Sequence, residues 1–481
     1  MRVKHLVVSA LTVSLVTALA SANPPPADTS HPHVSLDVAL VQTLSTEGYA
    51  PQYQHLGITG RAAAGPVLLL GELHLQNDDR YTEGHRGGYW LGANGTLGQG
   101  GVVLDLPPLT MRAGRFYHSD QVASPYSLFV SSSRIGALQL AIDIETPRLF
   151  FSTRAIELNR DSARGYPDRG AAIRAYGVKI GTLRVGFQDV IVYADRAFDL
   201  EYFLNPIPGF LLQYLKRSPG TPWAAGFNHN SIMGFFVDRH GPASYQYAQI
   251  LIDDINANRF VRRDLVWNPD KIAWSIGGSY DFAFGTLGFY HAGATRYTFQ
   301  AFGGGGTGTA TDTKYGYTYV PDVEYTVDGE PRVIRLEDNY VGYLHGENNL
   351  AFMVTYDRIL SSAGPIPIAL SSSVELTVSG SKSPANPWHE LNWYLEAGEG
   401  TRLLDDDRLE TRALARAGAV AAPRGPWRVF GDVSLGYVRN ELELVDVPPE
   451  LAGANNEIRF FAPGTTQRPF GSLRVGASYR F

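Results

Sequence analysis

Read backwards from its last residue, the chain alternates. In GSLRVGASYRF, Leu473, Val475, Ala477, Tyr479 and Phe481 fall on one face, while Ser472, Arg474, Gly476, Ser478 and Arg480 fall on the other. An unbroken period of two is a strand with one dry face. The pattern recurs upstream. Trp427, Val429, Val433, Leu435 and Tyr437 alternate with Arg428, Asp432, Ser434 and Gly436; Ile368, Leu370, Val374, Leu376 and Val378 alternate with Ser371, Ser373, Glu375, Thr377 and Ser379. Ile272, Trp274, Ile276, Tyr280 and Phe282 lead to a tight turn near Gly285-Thr286 and then to Leu287, Phe289, Tyr297 and Phe299, which reads as a hairpin. Strands of roughly 12 residues exceed the soluble average of 5–6 and match the 9–11 tilted residues that cross a bilayer.

The opening MRVKHLVVSALTVSLVTALASA has Arg2 and Lys4 before a short apolar run and ends in Ala20-Ser21-Ala22, so residues 1–22 read as a cleaved signal peptide. No later run supplies the 20 or so apolar residues of a spanning helix. An exported chain that crosses lipid without helices must close its backbone hydrogen bonds in a barrel. The expected fold is therefore all-β: a transmembrane antiparallel β-barrel of about 18 strands, within a range of 16–20, in the bacterial outer membrane. Its terminal Phe481 has the form of the aromatic end that barrel-assembly machinery reads.

Connections give an independent test, because such barrels keep termini and short turns in the periplasm and send long loops outward. Counted back from Phe481, long links at 439–469, 399–408, 300–338, 195–230 and 117–134 alternate with short turns at 421–425, 285–286, 180–182, 145–147 and 107–108. Residues 23–60, with the Pro-rich NPPPADTSHPH and then VSLDVALVQTL, predict a periplasmic arm or short helix, which leaves 61–481 for the barrel.

Composition narrows the partners. The 481 residues are 44% hydrophobic and 18% charged with net charge −6, which suits a folded chain and offers no basic excess for nucleic acid. With no cysteine there are no disulfides, thiolate metal sites or Cys nucleophile. The expected partners are outer-membrane lipid, the assembly machinery and a surface polysaccharide; no cofactor is expected.

The succession TMRAGRFYHSDQVASPYSLFVSSSRIGALQLAIDIETPRLFF, RAYGVKIGTLRVGFQDVIVYADRAFDLEYFLNPIPGFLLQYL, GFNHNSIMGFFVDR and ASYQYAQILIDDI resembles the capsule-assembly Wzi family of outer-membrane proteins over residues 108–256. The resemblance implies an 18-stranded barrel with a periplasmic helical portion, acting as a lectin that holds capsular polysaccharide at the cell surface. This chain lacks a Trp-Gly-Pro-Gly motif after Phe116-Tyr117-His118, and its N-terminal region is short for a helical bundle.

Candidate chemistry is sparse. Tyr315, Tyr317 and Tyr319 in the longest link suit stacking on sugar faces, and equally suit a hairpin folded into the lumen as a constriction. Arg412, Arg416 and Arg428 lie on polar strand faces, where they could bind an anionic polymer or be neutralised by Glu375, Glu390, Glu396 and Asp432. Asp405, Asp406 and Asp407 offer oxygen ligands for Ca²⁺ or form a solvated loop tip. His229 and Ser231 are close in sequence, but a triad is defined by spatial geometry, and no enzymatic role is expected. Two functions remain open: a non-enzymatic polysaccharide-binding barrel, and a diffusion porin or substrate-specific channel. What separates them is whether the 300–338 and 195–230 links plug the lumen.

Overall fold

The computed structural model describes residues 33–47, 50–78, 89–90, 92–131, 136–162, 166–216, 229–255, 269–300, 316–327, 329–360, 366–383, 401–422, 425–446 and 459–481. One sheet holds 19 strands, of which one is only Tyr89–Trp90; the other 18 form the wall. In chain order these are β1 (His33–Ser45), β2 (Gln52–Ala64), β3 (Val67–Gln76), β4 (Ala93–Leu106), β5 (Leu109–Phe116), β6 (Ala137–Glu145), β7 (Leu149–Asn159), β8 (Arg169–Ile180) and β9 (Leu183–Ala194). There follow β10 (His229–Gly241), β11 (Ser244–Asp254), β12 (Lys271–Phe282), β13 (Gly285–Ala294), β14 (Asn349–Leu360), β15 (Ile368–Ser379), β16 (Glu410–Ala421), β17 (Trp427–Arg439) and β18 (Gln467–Arg480). Each pairs antiparallel with its neighbour, and β1 closes the ring on β18 from Asp37↔Arg480 to Ser45↔Ser472. Closure removes every edge, as lipid requires.

Alternation sets the two faces. Leu435 is 66% exposed on the outside of β17, whereas Ser434 points into the lumen and shares a 2.8 Å hydrogen bond with Ser472 of β18. Phe481 is anchored by its backbone N–H donating to Leu36 O at 2.8 Å, and it packs edge-on against Tyr479, which meets Trp427 the same way. With Phe282, Phe284 and Tyr356 around the next turns, these rings make the aromatic girdle of the periplasmic rim.

Two sequence expectations need correction. Residues 33–45 and 52–64 are the barrel strands β1 and β2, not an arm or short helix, and the expected boundary at 61 falls inside β2. Val34, Leu36 and Leu40 are exposed outside while Asp37, Val41 and Thr43 line the lumen; Val41 facing inward blurs the period in VSLDVALVQTL. Residues 1–32, with the expected signal peptide, lie outside the described residues. The second correction is to β13, which ends at Ala294 rather than running on to Phe299: Tyr297 and Phe299 adopt φ of 70° and 75°, and the chain leaves the wall there for the lumen.

Helix is confined to α1 (Leu200–Leu204), α2 (Gly209–Lys216) and α3 (Leu336–Asn339) among the described residues, and none is long and apolar enough to cross a membrane.

Candidate functional site: the barrel lumen

Residues 117–131 of the link after β5 turn inward and cross the lumen. Its hub is Asp120, whose two oxygens accept from Gln188 Nε2 of β9 at 2.7 Å and Gln249 Nε2 of β11 at 2.9 Å. Gln249 in turn accepts from Leu128 N at 2.9 Å. On one side Arg154 of β7 donates to Ser119 O at 3.2 Å; on the other, Tyr126 Oη donates to Glu375 of β15 at 2.9 Å. β7 and β15 stand eight strands apart in a ring of 18, almost diametrically opposite, so this link is a crossbar.

The described parts of the next long link, 295–300, 316–327 and 329–348, pack on top of it. Tyr317 is fully buried and donates to Phe129 O, while Ser131 N donates to Val341 O at 2.8 Å. Arg169 at the outer end of β8 donates to the carbonyls of Thr318, at 3.1 Å, and Gly316. Tyr126, Phe129, Phe299, Tyr317, Tyr340 and Tyr343 fuse with the inner faces of β6–β14 into one core. His118 is stacked under Tyr319, and burial beside Arg154 pushes its imidazole down to about 3, so it is neutral. Outside this core, the antiparallel pair 324–327 and 330–333 is joined to the pair 442–446 and 459–463 by Val323, Phe461 and Leu444 and by an Arg459–Glu324 ion pair of 2.8 Å.

The opposite half of the lumen is more open. Arg412 pairs with Glu47 at 2.8 Å and lies 3.8 Å over the Phe470 ring; Arg416 pairs with Glu375 at 3.4 Å, where His345 Nε2 also sits at 2.9 Å. On β2–β4, His55 and His74 share a 2.8 Å hydrogen bond, and Glu72 holds both His74, at 2.9 Å, and Gln99, at 2.9 Å. Toward the periplasmic mouth a cavity of about 280 Å³ is lined by Asp120, Arg184, Asp238, His240 and Tyr245.

The structure reassigns the expected contact residues. Tyr317 and Tyr319 are constriction residues with no free ring face for a sugar, and Tyr315 lies outside the described residues. Arg412 and Arg416 are neutralised in the lumen by Glu47 and Glu375. Arg428 does not join them: at six residues beyond the level of Ser434 it sits about 20 Å further along the tilted strand, near Arg61, Asp37 and Arg480. Asp405 and Asp406 fasten links. Asp405 pairs with Arg296 at 3.1 Å, and Asp406 accepts from Asn348 Nδ2 at 2.8 Å and Ser381 Oγ at 2.6 Å. Among the described residues no group of His, Asp or Glu is arranged to hold a metal, and Asp407 is exposed beside Arg408. Glu47, the Asp120 hub and the His55–His74–Glu72 set were missed because their partners lie on other strands or links.

Fold and lumen together define an outer-membrane β-barrel whose interior is bridged by its own links. No protein-family model and no curated protein matches the sequence. Among solved structures, the chain is similar to Wzi of Escherichia coli, an outer-membrane protein involved in group 1 capsule assembly and a carbohydrate-binding β-barrel, at TM-score 0.52 and 11% identity over 92% of this chain and 84% of that one. It also aligns with OccK2 (OpdF) of Pseudomonas aeruginosa, solved with glucuronate, at TM-score 0.47 and 9% identity over 94% and 96%. A BenF-like porin of Pseudomonas fluorescens aligns at 0.45 and 9% over 94% and 99%.

Proposed function

We propose that this protein is exported by a cleaved signal peptide and serves as a non-enzymatic, polysaccharide-holding barrel of the bacterial outer membrane. The observation that carries the reading is the crossbar: a link bonded at Ser119 to β7 and at Tyr126 to β15 leaves little free cross-section for solute flow. The carbohydrate binding of the similarly folded Wzi agrees with it. The sugar surface belongs to the outward links rather than to the buried Tyr317 and Tyr319.

A second reading, a narrow substrate-specific channel, is favoured by one feature. Along β17, β18 and β2–β4 the lumen keeps partly exposed polar groups, with Asp432 and Arg474 at 22% and 25% exposure. The two readings separate in a planar bilayer combined with a glycan array. The polysaccharide reading expects negligible single-channel conductance and retention of surface polysaccharide. Stable porin-like conductance without glycan binding would transfer the assignment to the channel.

A further inference from the structure

The 195–230 link was expected among the outward loops, as a possible plug. Its described part, 195–216, does something else: it lies against the outside of the wall. On β8 and β9 the outward positions are marked by exposed Val178, Ile180 and Val185, so Arg174 and Asp189, in step with them, also face outward. Thr153, Arg174, Asp189 and Met233 form one outward row across β7–β10. Arg174 is six residues from the end of β8, which at 3.3 Å per residue and a tilt near 40° puts the row about 15 Å above the periplasmic rim. That is inside the roughly 25 Å apolar band of such barrels.

This polar row does not meet lipid, because the link covers it. Arg174 and Asp189 form a 2.9 Å ion pair with both side chains 0% exposed. Arg174 Nη1 donates to Asn205 O at 3.0 Å and to Ile207 O at 2.8 Å, and Gly209 N donates to Asp189. Thr153 Oγ1 donates to Phe203 O at 2.8 Å. A Cβ on Gly209 would stand 2.2 Å from Arg174 and 2.4 Å from Ile191, so only glycine lets α2 approach this closely. Above the row, Tyr202 packs against Tyr193 and His229, sealing the seam.

The link's far side is apolar. Phe198, Leu200, Leu204, Ile207, Leu211 and Leu215 are all exposed, and they continue upward the band that Val178, Ile180, Val185, Phe235 and Val237 begin on the bare lower part of the same strands. We infer that residues 196–216 are a strap embedded in the outer leaflet, where they contact lipid acyl chains and supply the lipid-facing surface that the upper halves of β7–β10 lack. The occupant of the exposed face is hydrocarbon, because the face is continuous with a wall that already lies in lipid; the one exposed charge among the strap's described side chains, Glu201, stands at its upper end beside Tyr202, which packs on Tyr193 four residues above Asp189.

The absence of cysteine permits a direct test in the full-length protein. Leu204→Cys, Leu211→Cys and Leu215→Cys are labelled with an environment-sensitive fluorophore in proteoliposomes whose acyl chains carry bromine. Leu435→Cys serves as the lipid-facing reference and Asp407→Cys as the aqueous one, and heat-modifiability confirms folding of each variant. The expected result is quenching at the strap of at least half that at Leu435→Cys, with none at Asp407→Cys. Strap signals that match Asp407→Cys would overturn the proposal. So would loss of quenching together with a cross-linked dimer through Leu211→Cys, which would make the occupant a second copy of the chain. Neither result depends on what the outward links bind.

Discussion

The outer wall meets lipid in two different ways. Along β15–β18 each strand presents its own apolar side chains, with Val374, Leu376, Leu435 and Val475 exposed at mid-height. Along β7–β10 the same height carries Thr153, Arg174 and Asp189, and a second layer of chain turns that polar row into an interior. The first arrangement rests on burial of apolar area alone. The second depends on the hydrogen bonds that the covering segment adds, since a buried ion pair stabilises only when its desolvation is offset by good geometry and further partners. A barrel can therefore place an ion pair on its lipid face where a covering segment shields it and supplies further hydrogen bonds, here from Asn205 O, Ile207 O and Gly209 N.

That contrast fixes the largest expected effect. Arg174→Leu leaves Asp189 buried with no cation beside it, and removing one partner of a buried pair costs about 3–5 kcal/mol. Arg174→Leu combined with Asp189→Leu removes both charges and is expected to recover most of that loss. Urea unfolding of the reconstituted barrel measures both, and a single variant within about 1 kcal/mol of the parent would show that the covered wall is no more demanding than the bare one.

The bare wall is probed at Leu435. Leu435→Arg puts a guanidinium directly into lipid and is expected to lose about 2–4 kcal/mol. Ser434→Arg, one residue away and facing the lumen, should be far milder because water and the Asp432–Arg474 pair are near. Equal losses in the same unfolding measurement would mean that the two faces of β17 are misassigned.

The bare wall was legible in the sequence and the covered wall was not, for a physical reason. In β17 and β18 the outward residues are apolar because nothing intervenes between strand and lipid, so the period of two survives in the letters. In β8 and β9 the partition is reversed at one level, where the outward positions hold the charged Arg174 and Asp189. The signal was nevertheless present. The turn pairs Ile180 with Leu183, so partners' numbers add to a constant, and the same rule sets Arg174 opposite Asp189 in phase with Val178 and Val185. The short and long links were also legible, because side of the membrane sorts them by length. Their destinations were not: burial of Tyr317 follows from Phe129, nearly two hundred residues away, and no local pattern records that.

Inside the barrel the same test of satisfied polarity applies to the crossbar. Tyr126→Phe removes the hydroxyl that ties the link to Glu375, a hydrogen bond to a charged acceptor worth about 1.5–3 kcal/mol. Arg416 and His345 still hold the carboxylate, so the expected loss lies at the lower end, with global folding intact. The sharper readout is faster hydrogen exchange across residues 119–131. Exchange unchanged from the parent would show that this contact does not secure the crossbar.

The smallest effect expected is local and pH-dependent. Glu347, in the link just before β14, is fully buried, and desolvation pushes its carboxyl up to about 7 despite the donors Ser383 N and Gln300 Nε2 and the nearby cations Lys382 and Arg296. A folded-state value above the unfolded 4.5 means that the docked link holds a proton the released link has lost. Docking is therefore firmest below pH 4.5, weakens as pH rises toward 7, and levels off above it. Hydrogen exchange of residues 340–349, corrected for intrinsic rates, should show less protection at pH 8 than at pH 5. Glu347→Gln keeps the shape without the charge and should flatten that dependence while leaving the outer wall unchanged. Equal protection of the parent protein at both pH values would mean that Glu347 ionises without loosening the link, and that the lumen side of the barrel, like β15–β18 outside, is held by packing rather than by the satisfaction of buried charge.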